Sequence, residues 1–151
     1  MAFEIQADHA SGDVLYATIR NRSGQVWHPA GQVFEDWGAG GRTADDYGIA
    51  LTDKGASRYI GDFDGNIPAG SYSIQVFQQA GANPADTDTL VCSSGIIWTG
   101  TGELTPAKIL ANKTVEDKVT CAIEYYDDDG QTVLFAHTPH DTASTITKVP
   151  G

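Results

Sequence analysis

Asp127, Asp128 and Asp129 stand in a row before Gly130, between two runs that read as strands. Adjacent carboxylates invite a cation, calcium above all, because calcium is held by several oxygen ligands. On an extended chain, however, neighbouring side chains point to opposite faces, so three consecutive aspartates do not converge. Turn geometry relaxes this for two of them at most. Asp129-Gly130 is also a hairpin turn pair, since glycine takes φ > 0 without strain. The stretch reads first as a β-hairpin turn and second as a weak cation site.

The other candidates for chemistry are thinner. Asp62-Phe63-Asp64-Gly65-Asn66 echoes the start of a calcium loop, but no glutamate stands where the bidentate ligand belongs, so a turn is expected. His137 and His140 flank Thr138-Pro139, and joint metal ligation from a strand would need Pro139 to bend the chain. Two surface histidines are the simpler expectation. Serines, histidines and aspartates occur without a G-x-S-x-G elbow, and neither a dinucleotide fingerprint nor a phosphate loop is present. A glycosidase pair could be drawn from the many carboxylates, but abundance is not placement. No catalytic or cofactor-binding residue is assigned, and a non-enzyme is expected.

Aromatic side chains offer a binding surface instead. Trp27 and Trp98 lie in strand-like runs and are expected in the core, where aromatics carry most of the buried area. Trp37 follows Phe34-Glu35-Asp36 and precedes a glycine-rich stretch, so Trp37, with Phe34, is the candidate for exposed ligand or interface contact. Cys92 and Cys121 sit in apolar runs and are expected as buried free thiols. Their spacing matches no zinc motif.

The elements that must position these residues are short strands. Strand-like runs cover 3–7, 14–19, 25–28, 46–52, 57–63 and 71–78, with turn residues such as Gly, Pro, Asn and Asp between them, and 87–98 contains another strand or two. In the second run Leu15, Ala17 and Ile19 share one face, while Val14, Tyr16 and Thr18 share the other. Ser71 to Gln78 has its apolar face at Tyr72, Ile74 and Val76. The segment 33–46 is expected as a long loop, because Gly38-Ala39-Gly40-Gly41 holds regular structure poorly. Thr105 to Ala111 is the one helix candidate, with Thr105 as cap and Pro106 in the first turn. Beyond it come strand-like runs over 115–126, 132–138 and 146–149. The spacing predicts an all-β chain: an immunoglobulin-like antiparallel sandwich over 1–100, then a short helix and a C-terminal β-hairpin extension over 101–151.

Length and charge narrow the function. A chain of 151 residues is expected to hold one domain, or one domain with an appendage. A net charge of −11 disfavours nucleic acid and anionic membranes as partners, since both need a basic face. No apolar run is long enough to span a bilayer. Met1-Ala2-Phe3-Glu4-Ile5 has neither the basic nor the apolar region of a signal peptide, so synthesis in the cytoplasm is expected. The two glycosylation sequons, at Asn21 and Asn112, are read as accidental.

Three segments together carry a resemblance. They are Gly12 to Ala17 with Gly24-Gln25-Val26-Trp27; Ile67-Pro68-Ala69-Gly70-Ser71-Tyr72-Ser73-Ile74; and Asn112-Lys113 with Tyr126 to Leu134. The set resembles β-sandwich structural proteins of tailed bacteriophages and prophage-like elements, found in tails, baseplates, fibre attachments and decoration modules. The resemblance implies a homo-oligomeric virion part, made in the host cytoplasm, that contacts other virion proteins and carries no catalytic residues. The alternative is a carbohydrate- or receptor-binding module that meets a surface glycan through the Trp37 loop. A calcium-stabilised adhesion-type domain stands third.

Overall fold

The computed structural model describes residues 4–105, 113–126, 130–142 and 145–150, with side chains as far as 134 and at 136 and 138. The chain divides into two compact units, Met1–Glu103 and Leu104–Gly151.

Unit 1 is an all-β antiparallel sandwich, as the alternating runs predict. Its smaller sheet holds β1 (Ile5–Asp8), β6 (Thr52–Asp53) and β7 (Arg58–Gly61) in the order β1-β7-β6. The larger sheet contains β2 (Leu15–Arg20), β3 (Val26–His28), β4 (Val33–Glu35), β5 (Ile49–Ala50), β8 (Gly70–Gln78) and β9 (Thr89–Trp98). Its order is β4-β3-β2-β8-β9, with β5 paired to β2. The core lies between the sheets. Ile5 and Ala7, Leu15, Ala17 and Ile19, and Ile74 and Val76 alternate into it from β1, β2 and β8. Trp27 and Trp98 are both 1% exposed, as expected. Each buries its indole N–H against an acceptor: Trp27 Nε1 donates to Asp64 Oδ2 at 2.8 Å, and Trp98 Nε1 to the Ile67 carbonyl at 2.9 Å.

The chain passes from one sheet to the other at Leu51. Ile49-Ala50 pairs with β2, Thr52-Asp53 pairs with β7, and Leu51 N between them donates to Leu15 O at 2.9 Å. Such a switch makes a corner of a sandwich.

The segment 33–46 is not a long loop. Val33–Glu35 is strand β4, paired in register with β3 so that Trp27 faces Phe34. Gly38, Gly40 and Gly41 take φ of +80°, +65° and +80°, which reverses the chain through a 3-10 turn at Ala39–Gly41. Helix α1 (Ala44–Tyr47) follows, its start fixed by Thr43 N donating to Asp46 Oδ2 at 2.9 Å. Asp46 and Tyr47 therefore belong to α1 rather than to the strand expected from Asp46 to Thr52. Of the helix candidate Thr105–Ala111, residues 106–111 lie outside the described residues.

The two cysteines are free, but both are exposed, not buried. Cys92 pairs opposite Val76 on the edge strand β9. Cys121 lies in a turn with φ of +58°.

Unit 2 is a four-stranded antiparallel meander: β10 (Thr114–Glu116), β11 (Ile123–Tyr126), β12 (Val133–Thr142) and β13 (Thr145–Pro150). The run expected as one strand from Val115 to Tyr126 is broken by Asp117. Its Oδ1 accepts from Val119 N at 2.7 Å and Thr120 N at 3.2 Å, and its main chain closes the loop with Cys121 and Ala122. A side-chain carboxylate that takes neighbouring N–H groups offers the backbone an alternative to the ladder. β11 and β12 form the expected hairpin, with Tyr126 paired to Val133. Gly130 in its connection has φ of +64°.

Candidate functional site

The outer face of the larger sheet carries the site. β2 is buried on both faces from Leu15 to Ile19, which requires a cover outside the core as well as within it. Tyr16, Thr18 and Arg20 alternate onto that outer face, and the register sets Tyr16 beside Phe77 and Thr18 beside Gln75. The Tyr16 and Phe77 rings stack at 5.4 Å and 17°. Arg20 Nε donates to Gln75 Oε1 at 2.8 Å and Nη1 to the Gly24 carbonyl at 3.0 Å, so the guanidinium is fixed. Trp37 lies with its ring centroid 5.0 Å from Arg20 Cζ. Together with Ala44, Ala85 and Asp86 these side chains surround a depression of about 300 Å³.

Two anchors hold its walls. The first is Glu35, whose carboxylate accepts from Arg42 Nη1 at 3.1 and 3.2 Å and from Tyr47 Oη at 3.0 Å. Burial and then the Glu35 carboxylate push the Tyr47 phenol up from its ordinary value. Tyr47 in turn packs on Trp37, centroids 4.9 Å apart. His28 stands edge-on to Tyr47, and its Nδ1 is 4.0 Å from Glu35. The second anchor is the turn at Ala85–Asp88. Asp88 accepts from Ala85 N at 2.7 Å and Ala80 N at 3.1 Å, which holds its carboxyl below the usual range. Asp86 Oδ1 accepts from Ala44 N at 2.8 Å and ties this turn to α1. Burial, and next the Asp88 charge, raise the Tyr16 phenol well above normal, so it stays protonated.

Of the residues expected at a site, Trp37 is here and is 36% exposed. Phe34 is elsewhere: it stacks on Tyr72 at 5.3 Å and 5° and packs on Trp27, against the core. Alternation along 14–19 places Tyr16 and Thr18 on a second face, but only the β2–β8 register reveals that Gln75 and Phe77 join them. Asp64, in the calcium-loop echo, accepts from Trp27 Nε1 and, through Oδ1, from Asn66 N and Nδ2. Asp127, Asp128 and Asp129 lie outside the described residues, as do the side chains of His137 and His140. Among the described residues no three His, Cys, Asp or Glu side chains are grouped to hold a metal ion.

A second feature is an edge. β9 pairs with β8 on one side, and its other side has no strand partner among the described residues except at Trp98, which bridges to Glu103. The strand Thr89–Trp98 carries no charge. Leu90 and Ile97 are 49% and 52% exposed. Partial desolvation and then Asp8 push the Cys92 thiol up. The ladder is interrupted once, where Val76 and Phe77 face Cys92 and Leu90 and leave Val91 as the extra residue of a bulge.

Among the described residues no helix is long and apolar enough to cross a membrane. Comparison of the chain with protein-family models, with curated proteins and with solved structures returns no match.

Proposed function

We propose that this chain is a non-enzymatic structural protein of a tailed-phage or prophage-like particle, working through contacts with copies of itself and with neighbouring virion proteins. It is made in the host cytoplasm and resides in the virion. The observation that carries the reading is the outer edge of β9, which, Trp98 apart, has no strand partner among the described residues. Native sheets blunt a long edge with lysine, proline, inward charge or a covering element. β9 has ten residues, no charged or proline residue, and a single bulge. An edge left in that condition is a template for adding a strand.

The occupant is a second copy of β9, paired antiparallel about a two-fold axis near Ser93. One strand then serves both partners, as an isologous contact requires. Copies of a chain with net charge −11 repel one another, and the uncharged β9 is where that repulsion opposes approach least.

Light scattering after size exclusion tests this. The wild type is expected as a dimer or larger, and Ser94→Glu, which sets like charges across the new ladder, shifts it to monomer. In a Cys121→Ser background, a short bis-maleimide is expected to link Cys92 to Cys92. A monomeric wild type, or an oligomer that Ser94→Glu leaves intact and Cys92 cannot link, overturns the β9 contact. Mass spectrometry of purified particles tests the wider role, and absence of the chain from them overturns it.

A further inference from the structure

We propose that the depression beside Trp37 is a binding site for a neutral saccharide. This is independent of the β9 contact, since it uses the outer face of the larger sheet rather than its edge.

The chemistry follows from what remains unused around the rim. Arg20 spends Nε on Gln75 and Nη1 on Gly24, which leaves Nη2 as a donor. Gln75 accepts through Oε1 and keeps its amide N–H groups. Asp86 accepts from Ala44 N through Oδ1 and keeps Oδ2 as an acceptor. Two donors and one acceptor thus face a wall of Trp37, Tyr16 and Phe77. Vicinal hydroxyls of a pyranose both donate and accept, and its C–H groups pack against the exposed part of Trp37. An apolar wall with a few fixed polar groups is the general form of a small-molecule site, and about 300 Å³ lies at the small end of the range. One or two sugar rings fit that size.

Charge chooses among sugars. Arg20 and Asp86 offset one another within the site, and the chain as a whole carries −11. An acidic sugar or a phosphate would meet that field and the Asp86 carboxylate, with Arg20 as the single cation among the lining residues. The walls are also set in advance: Glu35 holds Tyr47, Tyr47 supports Trp37, and Asp86 is fixed to α1. Little ordering is left for the ligand to drive.

The three tryptophans make the test direct, because Trp27 and Trp98 are 1% exposed and Trp37 is 36% exposed. Indole fluorescence of the full chain is titrated with glucose, galactose, mannose, N-acetylglucosamine and their disaccharides, and with glucuronic and sialic acids. At least one neutral saccharide is expected to perturb the emission with a Kd below about 10 mM. Binding is then followed by saturation-transfer NMR in variants. Trp37→Ala abolishes it, and Asp86→Asn, which retains the bond to Ala44 N, weakens it about tenfold or more. Should Trp37→Ala fail to fold, Asp86→Asn decides. Silence from every neutral saccharide, preference for an acidic one, or binding unchanged in a folded variant overturns the proposal.

Discussion

Thr18 sits between Tyr16 and Arg20 on the outer face of β2, fully buried, and its hydroxyl makes no hydrogen bond among the described residues. A buried hydroxyl without a partner costs about 1–3 kcal/mol. Valine keeps the branched shape that suits a strand and removes the oxygen. Thr18→Val is therefore expected to stabilise unit 1 by about 1 kcal/mol, read as a higher urea midpoint at unchanged slope. A lower midpoint would mean that the hydroxyl has an acceptor after all. The contrast with Trp27 and Trp98 is instructive, since both indoles find acceptors. Their burial was legible from the strand-like runs around them. Their acceptors, Asp64 and the Ile67 carbonyl, were not, because each lies some thirty residues or more away in the chain.

Turns closed by a carboxylate recur between the strands. Asp53 accepts from Gly55 N at 2.7 Å and Gly12 N at 2.9 Å, and Asp88 and Asp117 are similarly engaged. In each case these backbone N–H groups hold the carboxyl below its ordinary value. A depressed folded-state pKa stabilises above the unfolded value, about 3.9 for aspartate, and that contribution is lost as pH falls through the folded value. The expected outcome is a melting-temperature gap between wild type and Asp53→Asn that is constant above about pH 5 and closes below about pH 4. A gap that widens on acidification would reverse the sign. The same turns mark the limit of sequence reading. Where Gly or Pro marked the chain, as at Asn66–Gly70, the strand ends were legible. Asp117 escaped because no Gly or Pro marks the stretch from Val115 to Ala122, and the side-chain bonds of Asp117 are what break it. β4 escaped because its three residues are held by β3 rather than by any local pattern. For the site, the exposure of Trp37 could be read from its glycine-rich neighbours, whereas Arg20, Gln75 and Asp86 are gathered by register alone.

The whole molecule carries a net charge of −11, so any contact between its copies forms against that charge. Salt shortens the screening length from about 10 Å at 0.1 M to about 3 Å at 1 M. Association through the uncharged β9 is thus expected to strengthen as sodium chloride rises from about 0.05 to about 0.5 M, followed by light scattering. Weakening over that range would point instead to an interface built on ion pairs. A separate consequence comes from the passage of the chain between sheets at Leu51. β1 pairs with β7, and β2 pairs with β8, so the ends of each contact are separated by about fifty to sixty residues. Contacts of that kind close slowly, because the intervening chain must be ordered first. On the ribosome, β1 has no strand partner until β7 emerges, and β2 has only its short pairings with β3 and β5 until β8 follows. For that interval the nascent chain presents Ile5, Leu15 and Ile19 to its surroundings, and the timing of synthesis, as much as the finished sandwich, governs how much of it reaches the native state.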